Sequence, residues 1–135
     1  MKNVLTSKSF VVIVSHKGPD GDSIGSSVAL SRYLRKLKIK NKIVFPDSFP
    51  SYYDWLLDGE DFVIASNNFH ELSDLFAQSD LICCLDFNHL NRCGDELANC
   101  IRNCNAEQFV IDHHTYPEHF STYEIIDSNA SSTCE

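Results

Sequence analysis

The chain has 135 residues, enough for one domain with a full hydrophobic core, and its 43% apolar and 22% charged residues are ordinary for a globular protein. It carries 11 basic and 19 acidic side chains, a net charge of −8, and seventeen of the acids follow residue 42. This charge argues against a broad basic face for duplex DNA, and no apolar run is long enough to cross a bilayer.

The N-terminal residues and the cysteines indicate a cytoplasmic protein. The first ten residues lack the apolar segment and the cleavage site of a signal peptide, so we expect neither export nor membrane attachment. The six cysteines form no CxxC pair, which favours free thiols over disulfides or a zinc site. Cys83 and Cys84 lie inside an apolar run, where we expect them to point to opposite faces of a strand.

Continuous apolar runs predict the strands. Residues 10–15, FVVIVS, form a β-branched run without polar alternation, which is typical of a parallel strand covered on both faces. Similar runs predict further strands at residues 42–46, 80–87, 108–114 and 121–127. Residues 62–66 fit either a short strand or a loop.

Helical patterns fill the intervals between these strands. Apolar residues recur at helical spacing from Ile24 to Leu37, and residues 50–61 predict a short helix that ends at Gly59. Two more helices are predicted at residues 67–79, capped by Asn67 or Asn68, and at residues 91–105, imperfect around Gly94. The alternation predicts a doubly wound α/β fold with a mainly parallel sheet of about five strands and helices on both faces.

The last residues contain a helix-start signal. Ser132 and Glu135 have the spacing of a capping box, in which the serine caps the first turn and the glutamate reaches back to it. Because this signal announces a helix where the chain stops, we expect residues 1–135 to be a domain truncated at its C-terminal end.

Three predicted strands end in acids or histidines. These residues are His16, Asp20 and Asp22 after the first strand, Asp86 after the 80–87 run, and Asp112, His113 and His114 after the 108–114 run. Because doubly wound sheets hold ligands at the carboxyl ends of their strands, we expect the three groups to lie close together.

Each group also has a purely structural explanation. The first could be a turn in which Asp22 or Ser23 caps the next helix, Asp86 could be a turn residue, and the adjacent histidines could be a surface pair. Together, however, carboxylates and imidazoles favour a hard or borderline divalent cation such as manganese. The number of carboxylates predicts two ions with one bridging carboxylate, an arrangement suited to phosphoryl chemistry.

Four motifs in this order resemble the DHH phosphoesterase superfamily, which includes RecJ-type nucleases and manganese pyrophosphatases. They are SHKGPDGDSIGS, CLDF, VIDHH and NASSTCE, and the resemblance covers residues 10–135. Within the superfamily, the chain is most similar to bifunctional oligoribonuclease and pAp phosphatase enzymes, which are described as exopolyphosphatase-related.

The resemblance implies a role for each site residue. His16 and Asp20 would bind the first Mn²⁺ ion, Asp22 and His113 the second, and Asp86 would bridge the two ions. His114 would face the substrate phosphate as a cation or proton donor, and Asp112 would orient an imidazole. Further substrate contacts are implied for the NASSTCE segment, at Ser131, Ser132 and Thr133. Mg²⁺ or Co²⁺ would be substitute ions.

The function implied is a manganese-dependent phosphoesterase that cleaves short oligonucleotides or the nucleoside 3′,5′-bisphosphate pAp with a hydroxide activated by two metals. A cyclic-dinucleotide phosphodiesterase and a pyrophosphatase or exopolyphosphatase stay open within the same chemistry. A non-catalytic, nucleotide-binding regulatory domain is the alternative from another class. A homodimer is compatible with the sequence, although no motif specifies one.

Two parts of the family pattern are missing from the chain. A further metal-binding aspartate normally follows the SSTCE helix, and a second, smaller domain of the DHHA1 type normally binds substrate. We therefore expect residues 1–135 alone to be weakly active or inactive.

Overall fold

A computed structural model describes residues 1–67 and 69–135, so the predicted cap at Asn68 lies outside the described residues. The strands in these ranges are β1 Phe10–Val14, β2 Lys40–Phe45, β3 Phe62–Ile64, β4 Leu81–Leu85, β5 Glu107–Asp112 and β6 Tyr123–Ile126. The α-helices are α1 Lys2–Thr6, α2 Gly21–Lys36, α3 Asp54–Leu57, α4 Phe69–Gln78 and α5 Asp95–Asn103. Short 3₁₀ segments are found at Ser51–Tyr53, Ala65–Asn67 and Leu90–Cys93.

The strands form one sheet in the order β3-β2-β1-β4-β5-β6, and every neighbouring pair is parallel. This confirms the predicted doubly wound α/β fold, with β3 formed by part of the segment that fitted either a strand or a loop. The strand order reverses between β1 and β4, which is where sheets of this class open a crevice for ligands.

The hydrophobic core has two layers, one on each face of the sheet. All residues of β1 and β4 are buried, which explains why neither strand alternates between apolar and polar residues. Cys84 packs into the layer beneath α4 and α5, whereas Cys83 packs into the layer beneath α2. The prediction that these two side chains point to opposite faces is confirmed.

The start of α2 differs from the prediction. The helix begins at Gly21, three residues before the apolar pattern, and its cap is Asp20, so the interpretation that Asp22 or Ser23 caps it is wrong. Asp20 Oδ1 accepts hydrogen bonds from the backbone N–H groups of Asp22 and Ser23, both at 3.0 Å. The cap directs the start of α2 toward the carboxyl edge of the sheet.

The helix predicted at residues 91–105 is interrupted at the residue that the sequence marked as imperfect. Gly94 has φ +89°, a conformation that favours glycine, and it separates the 3₁₀ turn Leu90–Cys93 from α5. A side chain at Gly94 would also crowd Lys17, since a Cβ placed on Gly94 would lie 3.2 Å from the Lys17 side chain.

The prediction of a capping box between Ser132 and Glu135 is wrong, because Glu135 bonds a different serine. Glu135 Oε2 accepts hydrogen bonds from the backbone N–H and the hydroxyl of Ser131, whereas Ser132 contributes only its carbonyl to the Glu135 N–H. Residues 131–135 form turns and bends, with no helix. The glutamate thus bonds the residue four positions before it, and not the residue three positions before it as in a capping box.

No helix among the described residues has both the length and the apolar character needed to cross a membrane.

Asp80 ties the beginnings of β1 and β4 together. Its carboxylate accepts hydrogen bonds from the N–H groups of Ser9 and Phe10, at 2.7 and 2.9 Å, and these bonds lower the Asp80 pKa. We expect Asp80→Ala to reduce the free energy of unfolding by about 1 kcal/mol at pH 7, as measured by urea denaturation. Because the folded-state pKa is lowered, this contribution is present above about pH 4 and is lost as the pH falls through the folded pKa.

Asp80→Asn is the matched control, since it keeps an acceptor oxygen without the charge. We expect this variant to retain part of the lost stability and to show a weaker dependence on acid than the wild type. Equal stability of Asp80→Ala and wild type at pH 7 would contradict the assigned role.

Candidate metal centre

The first cluster of side chains lies at the ends of β1 and β4. His16 Nε2 lies 3.4 Å from Asp86 Oδ2 and 3.9 Å from Asp20 Oδ1. One ligand atom from each of the three residues lies within 4.8 Å of the other two. His16 and Asp86 are 70 positions apart in the sequence, and they come together because β1 pairs in parallel with β4.

The second cluster lies between the ends of β4 and β5 and the start of α2. His113 Nε2 lies 3.6 Å from Asp22 Oδ2 and 3.7 Å from Asp86 Oδ1. Asp86 thus presents one oxygen to each cluster, and the two clusters share this one carboxylate. This is the arrangement expected of a bridging ligand.

Backbone carbonyl groups orient the imidazoles of both clusters. His16 Nδ1 lies 2.8 Å from the Lys17 carbonyl oxygen, and His113 Nδ1 lies 3.3 Å from the Ala130 carbonyl oxygen. If each Nδ1 carries the proton that it donates, as these contacts indicate, each Nε2 is left with a lone pair directed at the carboxylates. Metal-binding histidines in proteins are held in this way.

Asp86 has an unusual backbone conformation for a residue other than glycine. Its φ is +66°, its side chain is 2% exposed, and its N–H donates to the Ile111 carbonyl oxygen at 3.0 Å. Aspartate tolerates this region better than most residues, yet the conformation still has an energetic cost that the surrounding structure must offset. In this conformation the buried Asp86 carboxylate lies between His16 and His113.

Asp112 orients His114, the second histidine of the pair. His114 Nδ1 lies 2.7 Å from Asp112 Oδ1, and the Asp112 side chain is fully buried. His114 Nδ1 also lies 3.9 Å from Asp86 Oδ1, so by distance alone His114 could join the second cluster. Because Nδ1 bonds Asp112 at the shorter distance, Nε2 is the ring nitrogen of His114 that takes no part in this hydrogen bond.

Thr133 joins the C-terminal segment to the carboxylates. Its hydroxyl donates to Asp86 Oδ1 and its backbone N–H to Asp22 Oδ2, both at 2.8 Å, and the Cys134 N–H donates to Asp22 Oδ1 at 3.0 Å. Of the three residues predicted from this segment, Thr133 therefore reaches the site. Ser131 and Ser132 instead bond Glu135 in the described part of the chain.

The surroundings of the site shift the pKa values of His16 and Asp22 in opposite directions. The Asp86 carboxylate raises the pKa of His16, although burial and the charge of Arg92 oppose the increase. Burial by itself would raise the pKa of Asp22, but the hydrogen bonds from Thr133 and Cys134 outweigh it and lower the pKa. Asp22 is therefore ionised and ready to bind a cation.

Asn88 is a site residue that the sequence analysis missed. Its side-chain amide nitrogen donates to the His114 backbone carbonyl oxygen at 3.0 Å, and its backbone carbonyl oxygen accepts from the Glu118 N–H at 3.0 Å. The residue is 4% exposed. Its place directly after the CLDF motif, at the same edge as the acids, was the available signal.

The donor set fits divalent cations. Carboxylate oxygens and imidazole nitrogens are the ligands of hard and borderline ions, and the cysteine closest to the site, Cys134, has its pKa raised to about 12 by burial and by Asp22, so it is a neutral thiol. The fold and the site thus define a parallel α/β domain with a carboxylate–imidazole centre at the carboxyl edge of its sheet.

The chain matches the DHH family, N-terminal domain, over residues 10–135, and it belongs to this family. Members of the family are phosphoesterases. None of the curated proteins compared with the chain matches it significantly.

Two solved structures share the fold, and a third is more distantly similar. An exopolyphosphatase-related protein from Bacteroides fragilis is 34% identical with a TM-score of 0.92 over 98% of this chain, which spans 38% of that protein. An alpha-glucosyltransferase in complex with UDP is 13% identical with a TM-score of 0.56 over 78% of this chain and 28% of that one, a likeness in fold alone. The exonuclease RecJ bound to manganese is 20% identical with a TM-score of 0.49, over 93% of this chain and 29% of that one.

Proposed function

We propose that the chain is the metal-binding part of a phosphoesterase that hydrolyses phosphoester bonds of short oligonucleotides or of pAp. The observation that carries the proposal is the pair of carboxylate–imidazole clusters that share Asp86, in a chain of the DHH family. A shared carboxylate is what a two-ion phosphoryl-transfer site requires.

Five side chains would hold the ions in this proposal. His16 and Asp20 would bind the first ion, Asp22 and His113 the second, and Asp86 both. Mn²⁺ suits the mixed oxygen and nitrogen ligands, with Mg²⁺ or Co²⁺ as substitutes. When bound, the ions would activate a water molecule and neutralise charge on the phosphoryl group.

His114 is the residue that we assign to the substrate phosphate. Its imidazole is partly exposed, with 39% of the side chain accessible, while its Nδ1 bonds the buried Asp112. This hydrogen bond fixes the ring, so that Nε2 is held in place for a phosphate oxygen or a leaving group. Asp112 acts through His114 and is a positioning residue.

The proposed substrate class rests on the sequence resemblance and not on the centre alone. The Bacteroides fragilis protein is described as exopolyphosphatase-related, and a pyrophosphatase or a cyclic-dinucleotide phosphodiesterase would use the same chemistry. The chain spans 38% of that protein, and a second domain that binds substrate remains a proposal. A regulatory domain that binds nucleotides without hydrolysis is the alternative of a different class.

A comparison of substrates tests the proposal. With residues 1–135 in excess over substrate and with Mn²⁺ present, we expect slow phosphate release from pAp and slow mononucleotide release from a dinucleotide. Product is quantified by chromatography, and EDTA should abolish both reactions. Faster release of phosphate from pyrophosphate would contradict the proposed substrate class, and binding of pAp without Mn²⁺ binding or hydrolysis would support the regulatory alternative.

A further inference from the structure

The segment that connects β2 to β3 carries a group of aromatic side chains, two of which are exposed. Tyr52 is 66% exposed and Trp55 is 75% exposed, and Tyr53, which lies between them in the sequence, is partly buried against the core layer beneath α2. We call Tyr52, Tyr53 and Trp55 the aromatic patch. Single exposed apolar residues are common on protein surfaces, but adjoining large aromatic rings mark a binding surface.

The aromatic patch begins beside the candidate metal centre. A Cβ placed on Gly21 would lie 3.2 Å from the Tyr53 hydroxyl oxygen, and Gly21 stands between the proposed ligands Asp20 and Asp22. The rings thus extend outward from the edge of the centre.

The geometry of the two tyrosines decides which ring is available. Their centroids are 4.4 Å apart with an interplanar angle of 51°, so the rings touch and leave no space for a third ring between them. Tyr53 supports Tyr52 from the core side, and the outer face of Tyr52 and the indole of Trp55 remain open to a ligand. A flat, uncharged ring system is the group that such faces bind.

We propose that the aromatic patch stacks the base of a nucleotide whose phosphate lies at the metal centre. This inference rests on the proposed function and extends it to the base end of the substrate. The exposed carboxylates of Asp54 and Asp58 flank Trp55 and would repel a phosphate backbone, whereas they tolerate a neutral base. The patch therefore fits a mononucleotide or one terminal base, and not a long strand.

Trp55 provides a direct reporter, because it is the one tryptophan of the 135 residues. With Mn²⁺ present, we expect adenosine 5′-monophosphate to quench its fluorescence and ribose 5-phosphate, which has the sugar phosphate without the base, to leave it unchanged. Calorimetry then measures the affinity of both ligands independently of fluorescence.

Two substitutions of Tyr52 form a matched pair. Tyr52→Leu removes the ring, and we expect it to weaken adenosine 5′-monophosphate binding by about tenfold, whereas Tyr52→Phe keeps the ring and should bind as the wild type does. Ribose 5-phosphate should bind both variants equally. These three results together support the inference.

The possible results distinguish a failure of the stacking proposal from a failure of the proposed phosphoesterase function. Equal affinity of wild type for the two ligands, or unchanged nucleotide affinity in Tyr52→Leu, would overturn the stacking role while the phosphoesterase proposal stands. Nucleotide binding that depends on Tyr52 but not on Mn²⁺ would support the stacking role and count against the metal proposal. A change of oligomeric state in Tyr52→Leu, with unchanged nucleotide affinity, would show that the patch is instead a contact between copies of the chain.

Discussion

Asp86→Asn is expected to abolish Mn²⁺-dependent hydrolysis and the stabilisation that Mn²⁺ gives the fold. Asp86 is the carboxylate shared by both clusters, so one neutral amide in its place weakens both proposed ion sites at once. We expect the hydrolysis rate to fall by about 10³-fold or more. At a Mn²⁺ concentration about 100 times the dissociation constant, the wild type should gain about 2.7 kcal/mol of stability, and the variant should gain almost none.

The substitution should leave the fold intact, which makes the result interpretable. Asparagine has the same shape and tolerates the φ of +66° that Asp86 adopts. Asp74→Asn is the control, because Asp74 lies beside Phe10 and Lys40, at the opposite edge of the sheet. Calorimetric titration and thermal denaturation with Mn²⁺ provide the measurements. If Asp86→Asn bound Mn²⁺ as tightly as wild type, the assignment of the two clusters would be wrong.

His114→Ala is expected to reduce the rate of hydrolysis by about 10²-fold while Mn²⁺ affinity is retained, because we assign His114 to the phosphate. Asp112→Asn should have a smaller effect of about tenfold, since it keeps an acceptor oxygen for His114 Nδ1 and removes only the charge that strengthens this hydrogen bond. Because the two residues act as one unit, the double variant should be no slower than His114→Ala. Single-turnover rates and Mn²⁺ titrations measure these quantities.

The alternative role of His114 gives a different result. If its imidazole were an ion ligand, as its 3.9 Å distance from Asp86 allows, His114→Ala would weaken Mn²⁺ binding as much as His113→Ala does. His119→Asn is the control, since His119 is exposed, bonds Glu124 and has a positive φ that asparagine tolerates. We expect this control to affect neither the rate nor the affinity.

The sheet and the position of the site could be predicted because the relevant signals are local. The β-branched run of β1 and the apolar run of β4 each show burial on both faces without reference to any other segment. Parallel pairing then forces the residues that follow such strands to one edge, which is why His16, Asp86 and His113 meet there.

Other features depend on tertiary contacts that no local pattern reveals. Asp20 and Asp22 are equally good caps by residue type, and the choice of Asp20 depends on Asp22 being held by Thr133 and Cys134, 111 and 112 positions away. The positive φ of Asp86 accompanies a hydrogen bond from its N–H to Ile111 of β5, a contact between distant parts of the chain. The pairing of Glu135 with Ser131 likewise depends on the attachment of Thr133 to the carboxylates.

The central pairing of the sheet has a consequence for how the chain folds. β1 pairs on one side with β2, which lies about 30 positions later in the sequence. On its other side β1 pairs with β4, where Val11 lies beside Leu81. The second edge of β1 therefore stays unpaired until more than eighty residues have been synthesised. An apolar strand with one free edge can associate with other nascent chains. We therefore expect the extent of aggregation during biosynthesis to depend on how quickly β4 is synthesised and pairs with β1. We also expect chains truncated before residue 85 to be insoluble.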